Sequence, residues 1–123
     1  MVVQRDLTDD EIDRLFHALA AATRRDILRR TIESEHSVSV LARDYDMSFA
    51  AVQKHVAVLE EAGLIIKRAE GRERLVRADP TMIARARALL ARYEDLWRAR
   101  IQRLDDLLAE PADPSASITT KGN

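Results

Sequence analysis

A serine, a glutamine and a lysine fall close together in Ser48-Phe49-Ala50-Ala51-Val52-Gln53-Lys54-His55, and three arginines, Arg68, Arg72 and Arg74, follow around a single glycine. These residues are not arranged for covalent chemistry. The chain shows no nucleophile with a base partner and no glycine-rich phosphate loop. Their types suit non-covalent recognition of a polyanion. A glutamine amide can pair with an adenine edge, a lysine can reach guanine or phosphate, and Phe49 or Ala50 can touch a thymine methyl. Ser48 and the first free N–H groups of a following helix suit a phosphate. Arginines on a hairpin can lie along a sugar-phosphate backbone or dip into a minor groove. The partner that fits the whole set is double-stranded DNA.

The bulk charge constrains how that recognition works. The 123 residues carry a net charge of −1, so no global positive field is present and binding needs a local patch. From Lys67 to Arg77, five basic residues stand against Glu70 and Glu73, a local net of +3. Residues 1–13 set Arg5 against Asp6, Asp9, Asp10, Glu11 and Asp13, a local net of −4. Charge is therefore partitioned along the chain. With no cysteine, disulfides, thiolate metal sites and thiol redox sensing are excluded. His17, His36 and His55 fall on separate elements and make no metal site, and no cofactor is expected. No apolar run approaches a membrane span, and the N-terminus lacks a signal peptide's apolar stretch, so the expected compartment is the cytoplasm.

The elements that position these residues are legible in caps and periodicity. Thr8-Asp9-Asp10-Glu11 has the form of a capping box, and Ile12, Leu15, Phe16 and Leu19 recur behind it, predicting a helix to about Ala21. Thr23 is expected to cap a second helix carrying Ile27, Leu28 and Ile32. Its basic residues, Arg24, Arg25, Arg29 and Arg30, read as an exposed, partly ion-paired face. A short third helix begins at Val38 and runs to about Tyr45. Asp46-Met47 turns the chain, with Met47 as packing, and Ser48 caps a fourth helix to Ala62 that Gly63 stops. With Val52, Val56 and Leu59 facing inward, Phe49, Ala50, Gln53, Lys54 and Ala57 face outward. His55 lies beside the inward stripe, as well placed to pack or cap as to contact a phosphate.

Two strand-like runs, Leu64 to Arg68 and Arg74 to Arg77, flank a turn at Ala69 to Glu73 and predict a β-hairpin. Asp79-Pro80 then opens a last helix whose apolar residues recur in steps of three and four. Its stripe, Leu89, Leu90, Tyr93, Trp97, Ile101, Leu104 and Leu108, exceeds what so small a domain can bury. Together with Ile12, Leu15 and Leu19 it predicts a homodimer interface. The fold class is mainly α with a small β-hairpin: a winged helix-turn-helix with a long C-terminal dimerisation helix. An arm over 1–7, a DNA-binding and dimerisation domain over 8–110 and a disordered tail over 111–123 complete the organisation. Major-groove readout is expected from helix 49–62, and backbone or minor-groove contacts from the wing, 64–78.

Four blocks in order support this reading. Phe16-His17-Ala18-Leu19-Ala20, Thr23-Arg24-Arg25-Asp26-Ile27-Leu28, Met47 through Val56, and Val58-Leu59-Glu60-Glu61-Ala62-Gly63-Leu64-Ile65 resemble the ArsR family of bacterial repressors. The resemblance spans roughly residues 8–108. It implies a cytoplasmic dimeric repressor, often autoregulatory, that leaves its operator when an inducer binds; a dimer's two recognition helices would read a palindrome. The metal-sensing members carry paired cysteines before the recognition helix, where this chain has Val40-Leu41-Ala42-Arg43-Asp44-Tyr45. Other members bind zinc through histidines of the last helix, which here has none. The resemblance is thus to metal-independent members, with any inducer unidentified. The alternative is a winged-helix module for protein contacts alone, which would show an apolar recognition face and no net-positive wing.

Overall fold

The computed structural model describes residues 6–109. In chain order the elements are α1 (Asp9–Leu19), α2 (Ala22–Glu33), β1 (His36–Ser37), α3 (Val38–Arg43), α4 (Phe49–Glu61), β2 (Ile65–Glu70), β3 (Glu73–Ala78) and α5 (Pro80–Ala109). Two compact units divide the chain, one ending at Leu89 and one beginning at Leu90. The architecture is a winged helix-turn-helix, mainly helical with a small sheet. The expected tail, 111–123, and all but the end of the expected arm lie outside the described residues.

In the first unit, α1 starts at the capping box the sequence predicts: Glu11 N–H donates to Thr8 Oγ1 at 3.1 Å and Thr8 N–H donates to Glu11 Oε1 at 2.8 Å. Leu7, expected in the arm, is instead a core residue. The junction to α2 also differs from expectation. Thr23 lies inside α2, and the N-cap is Ala21, which has no side chain to offer. The arginines of α2 secure this junction from the other side. Arg24 donates from Nε to Ala18 O at 2.9 Å and from Nη2 to His17 O at 2.8 Å, and Arg25 donates from Nη1 to Leu19 O at 2.7 Å. These carbonyls lie in the last turn of α1, where His17 O also accepts from Ala20 N–H at 3.1 Å, and cations are favourable at a helix C-terminus.

The sheet has the order β1-β3-β2 and is antiparallel throughout. β1, which a two-residue polar segment does not announce, pairs His36 with Val76 and Ser37 with Leu75. β2 and β3 run in register from Ile65↔Ala78 to Glu70↔Glu73. The strands are therefore longer and the turn tighter than the expected Ala69–Glu73. Only Gly71 and Arg72 lie outside the ladder. Gly71 adopts φ +60°, the first-position geometry of a primed two-residue hairpin turn.

The core gathers one stripe from each helix: Leu15, Ile27, Leu41, Val52, Val56 and Leu59, closed by Leu64 and Val76 from the hairpin. Leu15 and Leu89, expected at a subunit interface, are corrected by this arrangement. At 1% and 4% exposure they are spent on the protomer's own core and have no surface left for a partner. Ile12 and Leu19 pack partly against that core.

The second unit, as described, is the remainder of α5. Leu90, Tyr93, Trp97, Ile101, Leu104 and Leu108 are all exposed there, as are Leu96 and Leu107.

Candidate nucleic-acid interface

Two short helices and the turn between them carry the candidate reading head. Ser37 caps α3, its Oγ accepting from Val40 N–H at 3.0 Å, and Ser48 caps α4, its Oγ accepting from Ala51 N–H at 3.1 Å. Caps of this type fix where each helix begins. The turn is braced against α2. Tyr45 OH donates to Asp26 Oδ2 at 2.6 Å, Arg30 pairs with Asp44 at 2.7 Å, and the Arg30 guanidinium lies 5.8 Å from the centre of the Tyr45 ring. The Tyr45 hydroxyl, with Arg29 beside it, holds the Asp26 carboxyl below its ordinary range. Arg29 is also ion-paired with Glu33. The basic face of α2 is thus engaged within the protomer, as its sequence suggests.

α4 presents the face its pattern predicts. Val52, Val56 and Leu59 are buried, while Phe49, Ala50, Gln53 and Lys54 are exposed and Ala57 is half-buried. At the far end, Gly63 takes φ +78°. Leu64 N–H donates to Leu59 O at 3.0 Å and Gly63 N–H to Glu60 O at 2.9 Å, the paired bonds of a Schellman stop.

His55 is placed differently from its neighbours. Its ring is half-buried, and Nδ1 lies 3.2 Å from Arg24 Nη1. An arginine has only donors, so Nδ1 is the acceptor and the imidazole is neutral with its proton on Nε2. Burial first, and the Arg24 charge second, push its pKa below 6.5. His55 therefore joins α4 to the α1–α2 junction. Of the two roles left open for it, the packing one is seen here: it sits off the Gln53 face and spends its Nδ1 acceptor on Arg24 inside the protomer.

The hairpin separates its basic residues by strand parity. Ile65, Lys67 and Ala69 share one sheet face with their partners Ala78, Val76 and Arg74, and this is the face whose Ile65 and Val76 are buried. A cavity of about 240 Å³ between this face and the helices is lined by Ser39, Phe49, Gln53, Lys67, Arg72 and Arg74. The structure thus brings Phe49 and Gln53 of α4 together with Arg72 and Arg74 of the wing. Neither of those arginines has an ion-pair partner among the described residues, whereas Lys67 lies 3.4 Å from Glu60.

Arg68 is corrected. It lies on the opposite sheet face, where Nε and Nη2 donate to the two oxygens of Glu35 at 3.0 and 2.8 Å, with Glu70 at 3.1 Å. This bidentate grip holds the Glu35 carboxyl below its ordinary range and the guanidinium above its own. An arginine so committed is a brace for the wing and not a free phosphate ligand. Two residues that line the cavity, Ser39 and Lys67, were not among those singled out from sequence. The parity of Lys67 with the apolar Ile65 is a signal that could have found it. Ser39 had none, because only the tertiary fold brings the start of α3 to the wing.

Comparison with known proteins agrees with this geometry. A helix-turn-helix domain family matches residues 19–68. The HTH-type transcriptional regulator Rv2034 of Mycobacterium tuberculosis is 41% identical over 81 residues, covering 66% of this chain and 76% of that protein. The crystal structure of the ArsR family transcriptional regulator RHA00566 superposes with a TM-score of 0.71 at 31% identity, covering 76% of this chain and 97% of that one. The solution structure of a homodimeric winged helix-turn-helix DNA-binding domain from Mycobacterium bovis, a possible ArsR-family regulator, gives a TM-score of 0.58 at 28% identity. It covers 77% of this chain and 91% of that one.

Proposed function

Because the chain belongs to the ArsR family of transcriptional regulators and carries its DNA-binding winged helix-turn-helix, we propose that it is a homodimeric cytoplasmic repressor of a palindromic operator. The observation that carries this reading is the convergence of the exposed α4 face with two wing arginines that have no ion-pair partner among the described residues, in one cleft. Gln53 and Lys54 project from α4, while Arg72 and Arg74 flank the same cavity as Gln53. In this reading α4 enters the major groove, Gln53 reads a base edge, Ser48, Phe49, Ala50 and Lys54 complete the contact surface, and Arg72 and Arg74 hold the backbone.

Dimerisation follows from the exposed stripe of α5. Trp97 is 60% exposed and Tyr93 59% exposed in the protomer, and large aromatics left in water at this spacing mark a partner surface. The economical partner is a second copy, which places two reading heads about one helical turn apart, roughly 34 Å. The homodimeric state of the Mycobacterium bovis neighbour supports the same assembly. On this reading residues 8–110 carry DNA binding and dimerisation, with Leu7 packed into the same core. The protein acts by binding and not by catalysis, and it responds to no thiol-seeking metal, since it has no cysteine.

The test is fluorescence anisotropy on a duplex from the region upstream of the chain's own gene, with a scrambled duplex as control. Gln53→Ala is expected to lose about 1–3 kcal/mol of discrimination at one base pair per half-site. Equal binding of both duplexes by parent and variant would remove Gln53 from the reading head.

A further inference from the structure

Two neighbouring cations of β2 are held in different ways. Arg68 is gripped through two nitrogens by Glu35 and shared with Glu70. Lys67 makes one ion pair among the described residues, from Nζ to Glu60 Oε1 at 3.4 Å. Neither side chain of that pair is sealed from water: Lys67 keeps 29% of its surface open and Glu60 44%.

Both partners border the reading head. Lys67 lines the cavity it shares with Gln53, Arg72 and Arg74. Among the described residues, none of those lining that cavity is acidic. Glu60 stands just outside it, about two helical turns past Gln53 on the same face of α4. In the hairpin register Lys67 faces Val76, and Arg74 lies two residues from Val76 on the same sheet face. Lys67 and Arg74 are therefore diagonal neighbours, roughly 7–8 Å apart at the backbone. Arg72, Arg74 and Lys67 form one track of cations from the tip of the wing toward α4.

We propose that Lys67 is a third phosphate-binding cation of the wing, and that Glu60 is its built-in competitor. This rests on the reading of α4 and the wing as a DNA interface. A lysine is a point charge on a flexible stem with three donors, so it can exchange a carboxylate for a phosphate without movement of the strand. The exchange costs little, because an ion pair so open to water contributes little. A duplex presents one negative charge per roughly 1.7 Å of its axis and displaces a single carboxylate. Glu60 is exposed, and water solvates it once the lysine has left. Arg68 has no such freedom, since two carboxylates hold its guanidinium on the other sheet face. Phosphates carry no sequence information, so Glu60 lowers affinity for every duplex alike.

The test is the salt dependence of fluorescence anisotropy, on the upstream duplex and its scrambled control, for the full chain and its variants. Lys67→Gln is expected to weaken both duplexes in the same proportion and to flatten the log–log slope by about 0.9, the share of one phosphate. Lys67→Arg is expected to keep the parent slope. Glu60→Gln is expected to tighten both duplexes about two- to fivefold, and to change nothing when combined with Lys67→Gln. A carboxylate that merely repelled the duplex would tighten binding by the same factor in both backgrounds, which would overturn the competitor. A lysine that only braced the wing against α4 would weaken binding with the slope unmoved, which would overturn the phosphate contact. A parent that binds with a clear salt slope beside an unmoved slope in Lys67→Gln removes this proposal alone. A parent that binds neither duplex removes the DNA reading and this proposal with it.

Discussion

Replacing Arg24 by Gln removes one side chain that serves two helices and a histidine. Its Nε bond to Ala18 O and its Nη2 bond to His17 O finish α1, and Nη1 supports His55 of α4. The carbonyl of Ala18 belongs to a residue with no exposed surface, and hydrogen bonds to charged groups contribute about 1.5–3 kcal/mol each in such settings. The bond to His17 is exposed, and water replaces most of it. A cation at a helix C-terminus adds about 0.3–1 kcal/mol. The expected loss is therefore about 2–3 kcal/mol. Urea unfolding followed by circular dichroism, at matched protein concentration, should show a midpoint lowered on the order of 1 M. A loss below about 0.5 kcal/mol would refute the junction as described.

The same variant carries a pH signature. Folded His55 has a pKa below its unfolded 6.5, chiefly from burial and then from Arg24. Its contribution to stability is complete above 6.5 and is lost as pH falls through the folded value. Removing Arg24 removes the smaller cause and leaves burial. The difference between parent and variant should therefore narrow on acidification without closing. A constant difference across that range would take His55 out of the account.

Gly63→Ala should cost about 1–2 kcal/mol, because φ +78° is left-handed and a new Cβ would sit 2.8 Å from the Met82 terminal methyl. A thermal melt should fall by about 4–8 °C per kcal/mol, and an unchanged midpoint would contradict the Schellman stop. Arg72→Ala combined with Arg74→Ala should flatten the dependence of DNA affinity on salt by about 0.9 in log–log slope for each phosphate no longer neutralised. Arg68→Ala, whose charge is held by Glu35, should change that slope far less, and an equal effect would return Arg68 to the DNA-binding set. Trp97→Ala with Ile101→Ala should shift sedimenting species from dimer toward monomer at micromolar concentration and weaken operator binding. A parent that sediments as monomer yet binds its operator tightly would sink the dimer.

Features fixed within a few residues were readable from the chain. The capping box at Thr8, the caps at Ser48 and Asp79, and the stop at Gly63 each depend on a bond spanning no more than five residues, such as Thr81 N–H to Asp79 Oδ1 at 3.0 Å. The inward and outward faces of α4 were readable for a similar reason, since helical period alone assigns them. What escaped was settled by distant partners. Thr23 looks like a cap, but arginines reaching back to α1 decide where α2 begins. β1 exists because β3 supplies its ladder, and two polar residues give no hint of that. Arg68 and Arg74 are chemically the same, and only strand parity together with Glu35, far away in sequence, separates the brace from the residue facing α4. Leu15 and Leu89 matched the interface pattern equally well, but the protomer's own core claimed them.

Leu64 closes the base of the hairpin, accepting from Asp79 N–H at 2.9 Å while its own N–H returns to α4. Both feet of the wing are thereby pinned at one residue, and its outer end is left open at Gly71-Arg72. Length can change only at that end. Residues added symmetrically, one to each strand, extend the ladder and keep every existing side chain on its side. A single residue inserted instead within β3, between the pinned base and Arg74, turns over the side chains on its turn side, and Arg74 exchanges its place beside α4 for the side on which Glu35 waits. Drift in wing length among descendants of this chain should therefore proceed by matched pairs, with odd steps tolerated only where a bulge restores the alternation.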